Sequence, residues 1–174
     1  MPGYQRIMVM GPPGSGKSSL ARRIGQRCGL PVFHLDQAFW RENWVRTPDA
    51  VFRDEVARLA ALPGWVIDGN YLDTITPRLQ AADALIYLDV PTWLAMVRVL
   101  RRIVTGYGRV RPDAAAGCAE RVEFEFLRFV WHWNRERRAS HLAIVEAFQG
   151  RKFILRSKAE SRAWHDGSHI EPEQ

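Results

Sequence analysis

The chain has 174 residues, 47% of them hydrophobic, enough for one domain with a sizeable core. It carries 25 Lys and Arg against 19 Asp and Glu, a net charge of +6 that suits phosphate-bearing partners; no apolar run is long enough to cross a membrane, and no signal-peptide pattern opens the chain. Two cysteines, Cys28 and Cys118, make neither a disulfide framework nor a four-ligand zinc site, so a reducing cytoplasm is the expected compartment.

Arg6-Ile7-Met8-Val9-Met10 reads as a short buried strand. It runs into Gly11-Pro12-Pro13-Gly14-Ser15-Gly16-Lys17-Ser18, the G-x-x-x-x-G-K-S phosphate loop, with Ser19 beginning a helix that Gly29 closes. The glycines let the backbone aim several N–H groups at one point, an anion nest at a helix N-terminus. Lys17 would reach the β- and γ-phosphates of a nucleotide, and the Ser18 hydroxyl would ligate Mg²⁺. The motif is compatible with hydrolysis, phosphoryl transfer and switching.

The spacing predicts a second strand over 31–36, ending in Asp36, then a connection rich in large side chains, among them Phe39, Trp40 and Trp44. A helix is predicted over 49–62 and a third strand over 65–69, ending in Asp68 and Gly69. Loop and short helix fill 70–82, a fourth strand 84–90, and a helix 91–104. On that helix Arg98, Arg101 and Arg102 share one face, and Trp93, Met96, Val97, Leu100 and Val104 form the opposite, core-facing stripe. Gly-rich 106–117 is a candidate mobile loop and 105–118 a candidate lid. Helices over 120–133 and 140–148, a fifth strand over 152–155, a last helix over 159–164 and a frayed tail over 166–174 complete the reading. Strands alternating with helices imply an α/β fold: one parallel sheet with helices on both faces, as a single domain over 1–174.

Ligands of such sheets bind beyond the carboxyl ends of the strands. Asp68 is the candidate to hold Mg²⁺ with Ser18, Asp36 to orient or deprotonate an acceptor hydroxyl, and Asp89 a structural turn residue. Arg102 and Arg109 are the candidates for phosphate contact, with a solvated basic face as the alternative. His34 and the aromatics of 39–44 are candidates for an acceptor pocket, with plain packing as the alternative. From Arg98 to Arg138 ten arginines face five acids, nearly the whole charge excess. That segment could serve a nucleotide's phosphates or a nucleic-acid backbone.

The order of the phosphate loop, His34-Leu35-Asp36, Phe39-Trp40, Asp68-Gly69-Asn70-Tyr71, Leu88-Asp89-Val90-Pro91, Arg109-Val110-Arg111-Pro112-Asp113, Gly117-Cys118 and Glu125-Phe126-Leu127 resembles the bacterial topology-modulation (FlaR-type) proteins, a branch related to adenylate kinases. The resemblance covers about 6–157. It implies a three-layer P-loop fold of nucleoside-monophosphate-kinase type, a five-stranded parallel sheet, ATP and Mg²⁺. Asn70-Tyr71 stands where adenylate kinases continue toward a monophosphate-binding Arg; Arg78 is the candidate substitute.

Two functions follow as expectations. One is a small Mg-ATP-dependent kinase of adenylate-kinase-like type, in which Lys17 and Arg102 stabilise the transferring charge and Asp36 orients a small hydroxyl or phosphate acceptor. The other is a nucleotide-responsive regulator binding DNA or an acidic partner through the Arg98–Arg138 surface, although no helix-turn-helix or other docking motif is present. A bare ATPase is a third reading.

Overall fold

A computed structural model describes residues 3–166. The elements are β1 (Arg6–Met10), α1 (Lys17–Cys28), β2 (Val32–His34), α2 (Leu35–Phe39), a two-residue hairpin of β3 (Trp40–Arg41) and β4 (Val45–Arg46), α3 (Asp49–Ala60), β5 (Trp65–Asp68), α4 (Ile75–Ala81), β6 (Ala84–Leu88), α5 (Thr92–Gly106), α6 (Phe124–Glu136), α7 (Arg138–Ala147), β7 (Arg151–Leu155) and α8 (Lys158–Asp166). Five strands form one parallel sheet in the order β2-β5-β1-β6-β7.

Side chains alternate between the faces of a strand, and this alternation divides the core in two. Met8 and Met10 of β1, Trp65 and Ile67 of β5, and Leu85 and Tyr87 of β6 face α3, α4 and α7, where they meet Phe52, Val56, Leu59, Ile75 and Val145. Ile7, Val9, Val66 and Ile86 face the other way, onto Leu20, Ala21 and Ile24 of α1 and Trp164 of α8. Burying each large apolar side chain contributes about 1.5–3 kcal/mol, so the doubly covered sheet is the stable platform beneath the site. The α1 helix stops where Gly29 takes φ +67° and returns its N–H to the Gly25 carbonyl, the expected glycine C-cap.

A third cluster joins α5 and α6 through Val90, Ala95, Val99, Ile103 and Val130. Here the expected stripe is corrected. Trp93, Val97, Leu100 and Val104 are exposed, Met96 is half-buried, and Ala95, Val99 and Ile103 are the buried face. The reason is space. A Cβ built on Gly14 would stand 2.5 Å from the Ala95 carbonyl oxygen and 2.9 Å from Val99 Cγ2. Helix α5 therefore rests against the phosphate loop at backbone distance, where only small or β-branched residues fit.

Other expectations shift by a turn. The second strand stops at His34, and Asp36 lies in the first turn of α2 rather than at a strand end. The aromatic helix begins at Phe124, because 120–123 instead follow the lid segment: Glu120 N–H bonds the Arg109 carbonyl at 2.9 Å. Helix α8 runs to Asp166; the rest of the tail expected to fray, 167–174, lies outside the described residues. Among the described residues no helix is long and apolar enough to cross a membrane.

Candidate active site

The phosphate loop leaves β1 between β5 and β6, where the chain crosses from one side of the sheet to the other. Gly11, Gly14 and Gly16 have φ +143°, +76° and +99°, conformations in which a Cβ is strained. At Gly11 a Cβ would also come within 2.6 Å of the Leu88 carbonyl oxygen. Three side chains hold the loop. Asn70 brackets Gly11, accepting its N–H at 3.1 Å and donating to its carbonyl at 2.9 Å. Arg98 donates to the Ser15 carbonyl at 3.0 Å, and Lys17 Nζ donates to the Pro12 carbonyl at 2.9 Å. Burial pulls the Lys17 amine below its ordinary pKa, against the opposing pull of Asp68 and Asp36. The Ser15 hydroxyl is buried without a partner. A glycine cradle, a half-buried amine and an orphaned hydroxyl at a helix N-terminus fit a nucleotide's phosphates.

Strand register explains the neighbouring carboxylate. Asp68 is paired with Val9 on one side and His34 on the other, so its side chain reaches both β2 and the loop after β1. It is buried, accepts the Ser18 hydroxyl at 2.8 Å through Oδ2, and contacts His34 Nδ1 through Oδ1. Ser18 and Asp68 thus form a hydroxyl–carboxylate pair of oxygen donors beside the phosphate cradle, a donor set suited to Mg²⁺.

Asp36 is set by a different route. Tyr71 donates its hydroxyl to Asp36 Oδ1 at 2.6 Å, and burial, then Asp36 beside it, pushes the phenol well above its usual pKa, so it remains a donor. Tyr71 has φ +31°, a strained value for a residue with a side chain. Arg78 fixes the strained turn. Its guanidinium is fully buried and donates to the carbonyls of Gly69, Asn70 and Tyr71 at 3.0, 2.9 and 3.0 Å. Burial draws its pKa down to about 10, which still leaves it charged at neutral pH. Arg78→Met is expected to orphan these carbonyls and lower stability by about 3 kcal/mol. Urea unfolding checks this; a loss under about 1 kcal/mol would contradict the bracing role.

Residues 107–121 fold over the cleft, closed at their base by bridges pairing Tyr107 with Glu120 and Val110 with Ala119. Buried Glu120 accepts Arg102 Nε–H at 3.0 Å and forms an ion pair with Arg111 at 2.8 Å, and Arg111 also pairs with Asp113 at 2.9 Å. Burial alone would raise Asp113, but Arg111 and the Ser18 hydroxyl outweigh it and hold the carboxyl below its ordinary range. The segment also grips the hairpin side: Gln37 donates to the Pro112 carbonyl at 2.9 Å, Trp44 to Ala119 at 3.1 Å, and Cys118 to Arg41 at 3.1 Å. A cleft of about 1030 Å³ results. Lys17, Ser18, Asp36 and Asp68 line it together with Arg102, Arg111 and the aromatic rings of the hairpin and α6.

The chain is similar to known proteins in sequence and in fold. Residues 7–63 match the family model described as ATPase family associated with various cellular activities (AAA). A shikimate kinase from Rhodococcus jostii is 29% identical over 141 residues, covering 71% of this chain and 78% of the relative. An adenylate kinase from Clavibacter michiganensis is 32% identical over 107 residues, covering 60% of this chain; the match spans about half of that relative, 52%. The crystal structure of a shikimate kinase from Acinetobacter baumannii in complex with shikimate superposes with TM-score 0.59 at 17% identity, covering 94% of this chain and 89% of the other. A gluconokinase from Sinorhizobium meliloti gives 0.53 at 19%, covering 94% and 92%.

The fold is that of the P-loop kinases.

Within this P-loop kinase fold the structure gathers most of the sequence candidates. Pro13, Gly14, Gly16, Lys17, Ser18, Ser19, Asp36, Asp68 and Arg102 line one cleft, and His34, Trp40 and Trp44 join them. Arg109 does not: it is exposed and outside the cleft lining, because the turn at Gly108 carries it outward while Arg111, two residues on, points back to Glu120. Arg78 is corrected as well, since its guanidinium is spent on backbone carbonyls and is not offered to a ligand. Asp89 is structural as expected, accepting Arg138 through both oxygens at 2.8 and 2.7 Å. Sequence reasoning missed the roles of Asn70, Tyr71, Arg98 and Glu120. The first two stand beside Asp68-Gly69, and the position after a strand's terminal Asp-Gly was the signal that could have found them.

Proposed function

We propose that this chain is a Mg-ATP-dependent kinase that transfers the γ-phosphoryl group to a hydroxyl of a small acceptor. One observation supports the reading: a phosphate cradle and a carboxylate oriented by its own tyrosine, Asp36 with Tyr71, line the same cleft. A hydrolase needs no chamber for a second substrate.

In this reading the backbone N–H groups of 11–18 and the Lys17 amine hold the phosphates, and Lys17 with Arg102 and Arg111 offsets charge on the transferring group. Ser18, and Asp68 through water, would hold Mg²⁺, which supplies charge neutralisation on the phosphate oxygens. Asp36 accepts the acceptor's hydroxyl proton as the oxygen–phosphorus bond forms and the bond to the β-phosphate oxygen breaks. Residues 105–118 act as the lid, excluding water while Glu120 positions Arg102 and Arg111. The topology-modulation (FlaR-type) resemblance is kept as a family proposal, on the Asp68-Gly69-Asn70-Tyr71 and Arg111-Pro112-Asp113 motifs.

The regulator reading has less support. It needs the Arg98–Arg138 segment as an outer basic face, whereas Arg98, Arg102, Arg111 and Arg138 are committed to the phosphate loop, Glu120 and Asp89. The test of the kinase reading is ADP release from Mg-ATP across nucleosides, nucleoside monophosphates, sugars and small hydroxy acids, with the phosphorylated product identified. Acceptor-dependent release is expected. ATP binding with no stimulation by any acceptor, together with salt-sensitive binding of duplex DNA, would favour the regulator.

A further inference from the structure

Helix α5 is apolar on two sides and buries only one of them. Ala95, Val99 and Ile103 pack inward, and Arg98 and Arg102 turn to the Ser15 carbonyl and to Glu120. Trp93, Val97, Leu100 and Val104 are left on the opposite side, in solvent. Helix α6 extends this surface. Leu127 packs against the cluster beneath α5, while Phe124 and Trp131, three residues before it and four after, share its side of the helix and stand exposed. The four α5 side chains and these two rings are between 45% and 81% exposed.

Single exposed apolar residues are ordinary, but six on two packed helices are not. Three of the six are aromatic, each with roughly 150–250 Å² of side chain to bury, so the patch offers on the order of 600 Å². A stable dimer takes about 800 Å² from each partner, and the patch supplies most of that before its polar rim is added.

The spacing on α5 points to the partner. The steps from 93 to 97, 97 to 100 and 100 to 104 are four, three and four residues, the seam along which one helix packs on another. The same steps read alike in both directions. Under an antiparallel two-fold, Trp93 meets Val104 of the partner subunit, and Val97 meets Leu100 of the partner subunit. The widest side chain then faces a narrow one at each end, and the gap between the helices stays even. A parallel pair would instead set Trp93 against Trp93 of the partner subunit and bring the two copies of Arg101 together. The rim carries both signs, Arg101 and Arg128 with Glu123 and Glu125, all exposed. A second copy can match such a rim, whereas an anionic lipid surface cannot.

We infer that the exposed face of α5, bordered by Phe124 and Trp131, is a dimer interface closed by a second copy of this chain, with the two α5 helices antiparallel across a two-fold axis. The partner holds α5 from outside against the phosphate loop, which the helix already meets at Gly14. The inference does not depend on the kinase reading.

Sedimentation equilibrium of the full chain tests it. Twice the chain mass is expected, falling to the single mass on dilution. Val97→Glu and Leu100→Lys each put a charge at the centre of the seam, and each is expected to weaken the dimer at least 100-fold. Combining them places opposite charges across the axis and is expected to recover at least tenfold of that loss. In a parallel pair like charges would meet and nothing would be recovered. Val51→Glu changes a comparably exposed residue of α3 and is expected to leave the dimer intact. Urea unfolding of the variants at low concentration guards against misfolding, since none of these side chains supports the core. A chain that stays monomeric at about 100 μM overturns the inference whatever the variants do. A dimer indifferent to both single changes places the interface elsewhere and overturns it too, as does a dimer broken by each change and not restored by the pair. A monomer that binds vesicles of anionic lipid, and loses that binding in Val97→Glu, assigns the face to a membrane and overturns the dimer.

Discussion

Lys17→Ala is expected to lower acceptor-dependent phosphoryl transfer by about 10³-fold while leaving the fold intact. The amine lies at the helix N-terminus and donates to the Pro12 carbonyl of the same loop. Removing it takes away one hydrogen bond, about 1 kcal/mol, and also relieves a desolvated charge, so unfolding should change little. Activity should change greatly, because the lost charge acts where negative charge is transferred and water is excluded. Steady-state kinetics beside urea unfolding reads both. Retention of full transfer activity in the variant would remove Lys17 from the mechanism and with it the phosphate-loop account.

Asp36→Asn tests the other end of the cleft. The amide still accepts the Tyr71 hydroxyl, so the loop geometry is retained, but it cannot take a proton. A fall in kcat of about 10²–10⁴-fold is expected, with KM for the acceptor nearly unchanged. Tyr71→Phe, which frees the carboxylate without removing it, is expected to give a smaller loss. On the Asp36→Asn background that second change should add almost nothing, since Tyr71 acts through Asp36. A full further loss in the double variant would show that Tyr71 works independently. An unchanged kcat in Asp36→Asn would leave Asp36 as a capping residue of α2.

The elements that were legible in the sequence are those whose signal is local. The phosphate loop carries its own chemistry, and the apolar strands declare themselves by composition, so the parallel sheet follows from the five runs at 6–10, 31–36, 65–69, 84–90 and 152–155. The contacts that were not legible depend on two segments meeting. Whether a helix presents Val97 or Val99 to the core turns on what lies beneath it, and the closeness of Gly14 to Ala95 reverses the choice that side-chain size suggests. Arg109 and Arg111 are indistinguishable by type; the turn at Gly108, φ +72°, and the burial of Glu120 decide which of them faces the cleft. Arg78 reads as a free cation until the strained backbone at Tyr71 supplies carbonyls for it.

The central claim is that this cleft passes a phosphoryl group to a second molecule rather than to water. The measurement that tests it most directly is the partition of the γ-phosphate, followed with labelled Mg-ATP in the presence of a saturating acceptor. Most of the label is expected in a phosphorylated acceptor, with little inorganic phosphate and only slow turnover when the acceptor is withheld. Equal ADP release with and without acceptor, and all label in inorganic phosphate, would contradict the account and make the protein an ATPase.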